Sequence, residues 1–280
     1  MSRKTNKNMS ENFKMIAKTF YGFEDILSEE LLALGAQKIN KGNRNVSFYG
    51  DKGFLYKSNL SLRTALKILK PVCEFRFKDI NEYYDNIYNF KWEDYIGPTG
   101  SFLINSVVFH SHVFNNSKFT SLKAKDAIVD RFRDKFKKRP SINSFNPELR
   151  IEIHVNRNTC TISLDSSGES LHKRGYKKYN SAAPLNEVLA AGIVLMSKWD
   201  KKSDLLDPMC GTGTFLIEAA MIAKNIAPNL NRLSFAFEKW KDWDNELFET
   251  IEESVKSKEI EFEHKLYGFD ISGAMIKKAE

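Results

Sequence analysis

The sequence is poor in cysteine and has no long apolar run. Its three cysteines, Cys73, Cys160 and Cys210, lie far apart and show no C-x-x-C or Cys/His spacing. That pattern supports neither a disulfide framework nor a metal site such as zinc, and it favours a reducing compartment. No stretch reaches the roughly 18 consecutive apolar residues of a transmembrane helix. We therefore expect a cytoplasmic protein that does not enter a membrane.

The two ends of the sequence differ in character. The start MSRKTNKNMSEN is polar and lacks the apolar core of a signal peptide, so we expect residues 1–12 to be a disordered leader. The end GAMIKKAE stops inside a helical pattern with no C-terminal cap. This predicts that the sequence is the front part of a longer protein.

The charge balance is moderately basic. The 280 residues include 43 Lys and Arg against 36 Asp and Glu, a net charge of +7. A surplus of this size favours an anionic partner such as nucleic acid. With 42% hydrophobic residues the chain can build substantial cores, and its length suits more than one domain.

The first part of the chain alternates between strand and helix patterns. FKMIAKTF and NVSFYG have the composition of strands, whereas YGFEDILSEELLALG and SLRTALKILK have helical spacing that ends at Gly35 and Pro71. This rhythm predicts a ferredoxin-like α+β unit over residues 13–71.

Residues 72–166 repeat the alternation. NEYYDNIYNFKWEDYI and SLKAKDAIVDRFRDKF predict helices, SFLINSVVF predicts a strand, and RIEIHV with TCTISLD predicts a hairpin. On the second helix the spacing places five residues inward: Ala124, Ala127, Ile128, Phe132 and Phe136. Residues 167–183 are rich in Ser, Gly and basic side chains and are interpreted as a linker.

Residues 184–280 predict the beginning of a different domain. A helix, PLNEVLAAGIVLMSKW, precedes the strand SDLLDP, the helix GTFLIEAAMIAKN and the strand KLYGFDIS. Strand, glycine turn, helix and strand in this order open a doubly wound α/β domain. Residues 227–263 have the appearance of an insertion between the second helix and the second strand.

The glycine turn DPMCGTGTF offers a cofactor site. Gly211 and Gly213 allow the backbone to turn sharply and to approach a ligand closely. Leu216 occupies the place of the third small residue of a dinucleotide fingerprint, and no lysine follows as in a P-loop. Asp270, at the end of the next strand, could accept both ribose hydroxyls of an adenosine cofactor. It could also cap the final helix, as could Ser272.

These segments resemble the THUMP-domain S-adenosylmethionine-dependent RNA methyltransferases. LDPMCGTGTFLIEAA is similar to the first motif of that family, and NLSLRTALKILKPV, SKFTSLKAKDAIVDRF, LDSSGESLHKRGYKKYN, NLNRLSFAFEKW and GFDIS match its order. Within the family, the resemblance points to bacterial enzymes that methylate guanine N2 in 23S ribosomal RNA. It implies an α+β N-terminal region, ferredoxin-like plus THUMP, followed by an incomplete α/β Rossmann-like class I methyltransferase domain.

The resemblance also implies the cofactor contacts. The methionine part of S-adenosylmethionine would lie among Asp207, Pro208, Gly211, Gly213 and Thr214. Asp270 would hold the ribose and Ile271 would lie near the adenine. Ala183 would belong to a segment that closes over the cofactor.

No catalytic residue is assigned. Family members place the target amine with a motif [N/D]-P-P-[F/Y], and no Pro-Pro dipeptide occurs in the sequence. Either the protein is truncated and only binds RNA, or the chain is a portion of a full enzyme, and we expect the chain alone to be inactive. Cys210, inside the cofactor turn, is interpreted as a packing residue and not as a nucleophile. A tRNA guanine-N2 methyltransferase and a non-catalytic THUMP protein remain the alternatives.

Two basic stretches are candidates for RNA contact. Residues 123–139 carry eight Lys and Arg against three Asp, a pattern that suits a basic stripe and equally a solvated helix face. LHKRGYKK mixes cations with an aromatic ring. The candidate residues are Lys123, Arg131, Lys135, Lys138, Lys173, Arg174, Tyr176 and Lys177. The expected partner is RNA, either 23S ribosomal RNA or a ribosome assembly intermediate.

Overall fold

The computed structural model describes residues 12–177 and 185–279. The strands are β1 (Phe13–Lys18), β2 (Gln37–Gly42), β3 (Asn45–Gly50), β4 (Lys67–Arg76), β5 (Ser101–Phe109), β6 (Ser141–Ile142), β7 (Leu149–Asn156), β8 (Thr159–Asp165), β9 (Leu205–Asp207) and β10 (Leu266–Gly268). The helices are α1 (Glu24–Leu34), α2 (Lys52–Ser61), α3 (Ile80–Asn89), α4 (Ser117–Phe136), α5 (Glu187–Met196), α6 (Thr214–Ala223), α7 (Asn245–Lys256) and α8 (Gly273–Ala279).

One eight-stranded sheet runs through the N-terminal part, in the order β2-β3-β1-β4-β8-β7-β5-β6. Strand β4 joins its two halves, because it pairs with β1 through residues 67–69 and with β8 through residues 69–76. The register of the β4–β8 pair shifts between Pro71 and Cys73, as expected where proline removes a ladder N–H. The expected domain boundary after residue 71 therefore falls inside a shared strand.

The prediction of a helix over residues 61–70 was wrong. The helix lies earlier, because the Asp51 carboxylate accepts a hydrogen bond from Phe54 N and so caps the start of α2. Leu62 is extended and ends it, and residues 67–70 enter β4. Ile68 and Leu69 are adjacent in this central strand and are both buried. A strand covered on both faces has consecutive apolar residues and lacks the alternation by which a strand is recognised in the sequence.

The remaining N-terminal elements were predicted with the correct type. However, helix α3 ends at Asn89 although the predicted helix ran to Ile96, the short strand β6 was not predicted, and two further details differ. The polar edge strand β2 was not predicted, and Phe136, at the last residue of α4, is 37% exposed and lies outside the core. In β7, Ile151, Ile153 and Val155 are buried, whereas the residues between them are not. One apolar core continues from β1 and β3 to α4 and β8.

The C-terminal part contains a second, parallel sheet in which β9 pairs with β10. Helices α5 and α6 pack against each other, and α5 also touches α1 of the N-terminal part. An α+β N-terminal part followed by this strand, turn, helix and strand agrees with the expected fold class. No helix within the described ranges is long and apolar enough to cross a membrane.

Residues 227–256, which we term the bridging segment, do not extend the C-terminal sheet. Helix α7 packs on α2, and the rings of Phe237 and Trp243 lie 4.7 and 5.2 Å from that of Tyr56. At the start of the segment, the Asn229 amide donates to the carbonyl of Asn59 over 2.8 Å. The stretch interpreted as an insertion therefore fastens the C-terminal part to the N-terminal core.

The predicted linker also differs from the structure. Ser167 and Leu171 are fully buried, and Arg174 is 1% exposed. These buried residues anchor the first part of the predicted linker to the protein, although Glu169 and Lys173 between them are exposed, and residues 178–184 lie outside the described part of the chain.

Candidate cofactor site

The glycine turn connects the end of β9 to the start of α6. Gly211 and Gly213 have φ values of 54° and 77°, in the left-handed region that favours glycine. Gly213 is the N-cap of α6, and no side chain caps the helix there. The first N–H groups of α6, beginning at Thr214, are therefore available to a ligand.

Asp270 joins the two loops of the parallel sheet. Its carboxylate accepts hydrogen bonds from Gly211 N at 2.9 Å and from Ser272 N at 2.8 Å. Helix α8 begins at Gly273, so Ser272 is the residue at its cap and Asp270 precedes it. Each carboxylate oxygen retains a second lone pair, because an ionised carboxylate has about four acceptor positions. The structure thus brings Asp270 to the glycine turn from which it is far removed in sequence.

Asp207 has one satisfied and one unsatisfied oxygen. Its Oδ1 accepts a hydrogen bond from Met209 N at 3.0 Å. Its Oδ2 is buried and has no hydrogen-bond partner in the described part of the chain. A buried acceptor without a donor costs about 1–3 kcal/mol. A cationic donor from a ligand, such as the ammonium group of a methionine moiety, fits this position.

Close packing holds the turn against β10. A Cβ atom on Gly268 would lie 2.6 Å from Cδ1 of Leu216 and 2.9 Å from Sγ of Cys210. The space for Leu216, which is too bulky for a dinucleotide fingerprint, is thus supplied by a glycine on the neighbouring strand. Burial raises the pKa of the Cys210 thiol, which disfavours the nucleophilic thiolate and agrees with a packing role.

The other expected cofactor residues lie around this turn or outside the described residues. Thr214 is buried, Pro208 is exposed and Ile271 is fully exposed beside Asp270. Ala183 is not among the described residues. Within those residues, no group of three His, Cys, Asp or Glu side chains could hold a metal ion.

Comparison with known proteins identifies the family. A model described as "RMKL-like, methyltransferase domain" matches residues 174–280, a THUMP domain model matches residues 77–165, and an RlmL ferredoxin-like domain model matches residues 14–69. A relative from Synechocystis sp., provisionally named an RNA methyltransferase, is 35% identical over 92% of this chain and 67% of its own length. The chain belongs to the THUMP-domain methyltransferase family.

Two other members of the family extend the comparison. The ribosomal RNA large subunit methyltransferase K/L of Buchnera aphidicola is 36% identical over 95% of this chain but only 39% of its own length. The chain therefore spans about two fifths of that relative. A solved structure, titled as a provisional methyltransferase complexed with SAH, superposes with a TM-score of 0.84 at 33% identity, over 97% of this chain and 71% of its own.

The basic stripe expected on α4 is partly neutralised by acceptors within the protein. Arg131 donates to both Glu93 oxygens, at 2.8 and 2.6 Å, and Lys135 donates to the same carboxylate at 2.5 Å. The Arg131 hydrogen bond is the main reason why the pKa of Glu93 lies well below its usual range. Arg131 is therefore a structural residue, whereas Lys138 is exposed and Lys123 is partly exposed.

The second basic stretch requires a correction. Arg174 is buried and donates to the carbonyls of Leu171 and Arg63, and its Nε lies 3.4 Å from the buried Glu218 carboxylate. A buried guanidinium requires acceptors for its five N–H groups, and the protein supplies four such hydrogen bonds here, the fourth to the Asn229 amide oxygen. Arg174 is therefore not accessible to RNA, contrary to the prediction.

Its neighbours in sequence are also engaged. The Tyr176 hydroxyl donates to Glu218 at 3.1 Å, and Lys177 pairs with Glu187 at 2.7 Å. Lys173 alone of the four candidates in this stretch has a largely exposed side chain, at 56%. Sequence reasoning missed Glu218, although a single acidic residue within the apolar helix TFLIEAAMIA signals a buried carboxylate with a partner elsewhere.

Proposed function

We propose that this protein uses S-adenosylmethionine to methylate RNA. The observation that carries the proposal is the glycine turn, where a buried unpaired Asp207 oxygen and the loop-bridging Asp270 lie on either side of Gly211. The family relationship supports the same cofactor, since a relative was solved with SAH.

The residues of the turn have distinct roles in this proposal. Asp207 Oδ2 accepts a hydrogen bond from the cofactor's ammonium group, and Asp270 accepts from the ribose hydroxyls with its remaining lone pairs. Gly211 and Gly213 keep side chains away from the ligand, and the N-terminus of α6 attracts its carboxylate. The bound cofactor supplies an electrophilic methyl group on a sulfonium.

Further residues complete the proposed cofactor site. Pro208 and Thr214 lie beside the methionine part of the cofactor and Ile271 lies near the adenine, whereas Ala183, outside the described residues, belongs to a segment that closes over the cofactor. The protein's part in transfer is to orient the reactants and exclude water, since methyl transfer is an in-line displacement.

We further propose guanine N2 of 23S ribosomal RNA as the methyl acceptor. The relatives named ribosomal RNA large subunit methyltransferase K/L support this choice over tRNA. Lys123, Lys138 and Lys173 are the remaining basic candidates for RNA contact. We place the protein in the cytoplasm and retain the division into residues 13–71, 72–166 and 184–280 as a proposal.

The acceptor is tested in cells from which the gene encoding this chain is deleted. Nucleosides from purified 23S ribosomal RNA and from tRNA are quantified by mass spectrometry. We expect N2-methylguanosine to fall in 23S ribosomal RNA and to stay constant in tRNA. A fall confined to tRNA would move the protein to the tRNA class, and unchanged levels in both would contradict guanine-N2 methylation.

The cofactor site is tested by titrating the protein with SAH in a calorimeter. Asp270→Asn loses charge-assisted acceptors worth about 1.5–3 kcal/mol, so binding should weaken about tenfold or more. Asp200→Asn is the matched control, because Asp200 is exposed and lies on the other side of β9 in sequence. Equal affinities of wild type and Asp270→Asn would contradict the proposed ribose contact.

A further inference from the structure

A cavity of about 310 Å³ lies where three segments of the chain meet. We term it the junction cavity. Its walls come from residues 145–150, 167–175 and 232–239. The first segment lies within the range that matches the THUMP model, and the last lies within the range that matches the methyltransferase model. The junction cavity is therefore separate from the glycine turn and lies between the two family domains.

The junction cavity gathers positive charge. Arg150, Lys173, Arg232 and Lys239 line it. Lys173 pairs with Glu169, but within the described ranges no carboxylate lies within 4.0 Å of the charged nitrogens of the other three. Burial lowers the pKa of Lys239, and the charge of Arg150 lowers it further despite Glu148 and Glu238 nearby. Like charges held together in this way favour an anionic ligand.

Arg232 is fixed in the wall. Its two terminal nitrogens donate to the carbonyls of Ser170, Lys173, Ser167 and Glu169, at 2.6–3.4 Å. Its Nε is buried and has no hydrogen-bond partner in the described part of the chain. The guanidinium thus contributes a positive charge that the surrounding carbonyls orient but no ion pair neutralises.

An aromatic ring stands at the rim of the junction cavity. Phe145 is 92% exposed, and its own carbonyl accepts a hydrogen bond from Arg150 at 3.1 Å. Leu233, from another of the three lining segments, is also fully exposed. An apolar ring next to a cluster of cations is the combination by which proteins bind single-stranded nucleic acid, with bases on the ring and phosphates on the cations.

We propose that the junction cavity binds an unpaired nucleotide of RNA, with its base against Phe145 and its phosphate near Arg150 and Lys239. The volume lies at the lower end of the roughly 300–1,000 Å³ typical of ligand pockets, which suits a single nucleotide. An acidic peptide would use the cations but has no need of the exposed ring. The inference rests on the proposed RNA substrate and adds a site at the domain junction to it.

The test measures binding of fluorescently labelled RNA by anisotropy at several salt concentrations. The probes are a single-stranded oligouridine of about 12 nucleotides, within the usual site-size range, and a duplex RNA of the same length. Phe145→Ala should weaken single-strand binding about five- to hundredfold, as expected for the loss of one base stack, and should leave duplex binding unchanged. Phe109→Ala is the control, since Phe109 is also exposed, at 49%.

The cations are tested by Arg150→Gln combined with Lys239→Gln. Loss of two phosphate contacts should reduce the slope of log Kd against log salt by about 1.4 for a single strand. Lys14→Gln, an exposed lysine in β1, should leave the slope unchanged. If the wild type bound RNA and neither Phe145→Ala nor the double variant of Arg150 and Lys239 changed that binding, the proposed nucleotide site in the junction cavity alone would be overturned.

Three other outcomes would also overturn the inference. Equal losses for single strand and duplex would indicate a general electrostatic surface. If the variants lost binding to a polyglutamate peptide that the wild type binds, while their RNA binding stayed intact, the cavity would be assigned to an acidic protein. Failure of the wild type to bind either RNA would overturn the RNA substrate as well. Because Phe145 is almost fully exposed, its alanine variant should fold normally, and circular dichroism checks this.

Discussion

Replacement of Arg174 by methionine should strongly destabilise the protein. The guanidinium is 1% exposed and donates to Glu218, to the Asn229 amide oxygen at 3.2 Å and to the carbonyls of Leu171 and Arg63. Methionine fills much of the same volume but donates nothing. The substitution therefore leaves the fully buried Glu218 carboxylate without its cationic partner, with the Tyr176 hydroxyl as its remaining donor among the described residues, and it removes a donor from several buried oxygens.

The magnitude follows from this buried charge. Removing one partner of a buried ion pair costs about 3–5 kcal/mol, mostly because the other charge remains unpaired. The double variant Arg174→Met with Glu218→Leu removes both charges and leaves mainly neutral acceptors unsatisfied, at about 1 kcal/mol each. We therefore expect it to be about 2 kcal/mol more stable than Arg174→Met alone. Such a coupling is within the range for residues in contact.

The pH dependence gives a second signature. Burial raises the pKa of Glu218 above its ordinary value of 4.5, so the folded state retains the proton to higher pH than the unfolded chain. Stability therefore falls as pH rises from about 4.5 to the folded pKa. Arg174 favours the ionised form of Glu218, so in Arg174→Met the pKa of Glu218 in the folded state rises further. Arg174→Met should lose more stability than the wild type between about pH 5 and pH 8.

The assay is urea unfolding, monitored by tryptophan fluorescence, at about pH 5 and at about pH 8. Lys173→Met is the matched control, because this neighbouring side chain is 56% exposed and its pair with Glu169 lies at the surface; it should cost less than about 0.5 kcal/mol. If Arg174→Met cost no more than this control, or if the double variant were the less stable of the two, the reasoning would be refuted.

Three further substitutions test other parts of the fold. Glu93→Gln should cost about 1–3 kcal/mol near neutral pH by removing a charged acceptor. Because the folded pKa of Glu93 is lowered, this cost should begin to shrink as pH falls below about 4.5 and should keep shrinking toward the folded pKa. A pH-independent difference in urea unfolding would contradict this. Phe237→Ala should cost about 3–5 kcal/mol by leaving a cavity, and an unchanged thermal midpoint would show that the bridging segment adds no stability. Gly192→Ala should lower the thermal midpoint, since its Cβ would lie 2.1 Å from the Phe23 ring. Gly53→Ala is the control and should not lower it, because its Cβ would lie 3.5 Å from the nearest atom. Equal effects of the two substitutions would contradict the packing argument.

The cofactor turn could be predicted because its information is local. Glycines at 211 and 213, between an apolar strand and an apolar helix, indicate a sharp turn with positive φ. The observed φ values of both glycines are positive. Asp270 could be placed beside them because parallel neighbouring strands end at the same edge of a sheet. The unpaired oxygen of Asp207 could not be predicted, since it depends on which donors the fold leaves out of reach.

Charged residues show where sequence reasoning failed. LHKRGYKK has the composition of an RNA-binding surface, but three of its four candidates are bonded to residues of distant segments, and Lys173 pairs with its sequence neighbour Glu169. Their partners Glu218 and Glu187 lie on α6 and α5, and Arg174 also bonds the carbonyl of Arg63. A count of local charge cannot reveal partners so distant in sequence, and the cations of the junction cavity are likewise assembled from separate segments.

These distant partners connect the cofactor helix to the N-terminal part. Helix α6 begins at the glycine turn, carries Glu218 in its middle, and accepts a hydrogen bond from Arg63 at the carbonyl of Met221, at 3.1 Å. Arg63 belongs to the N-terminal part and also donates to the carbonyl of Ile226 at 2.7 Å. The helix that presents free N–H groups at the cofactor turn is therefore anchored along its length by buried charges from outside its own sheet. A shift of the N-terminal part relative to α6 would break these bonds at a cost of several kcal/mol, so the turn and the N-terminal sheet keep a fixed relative position.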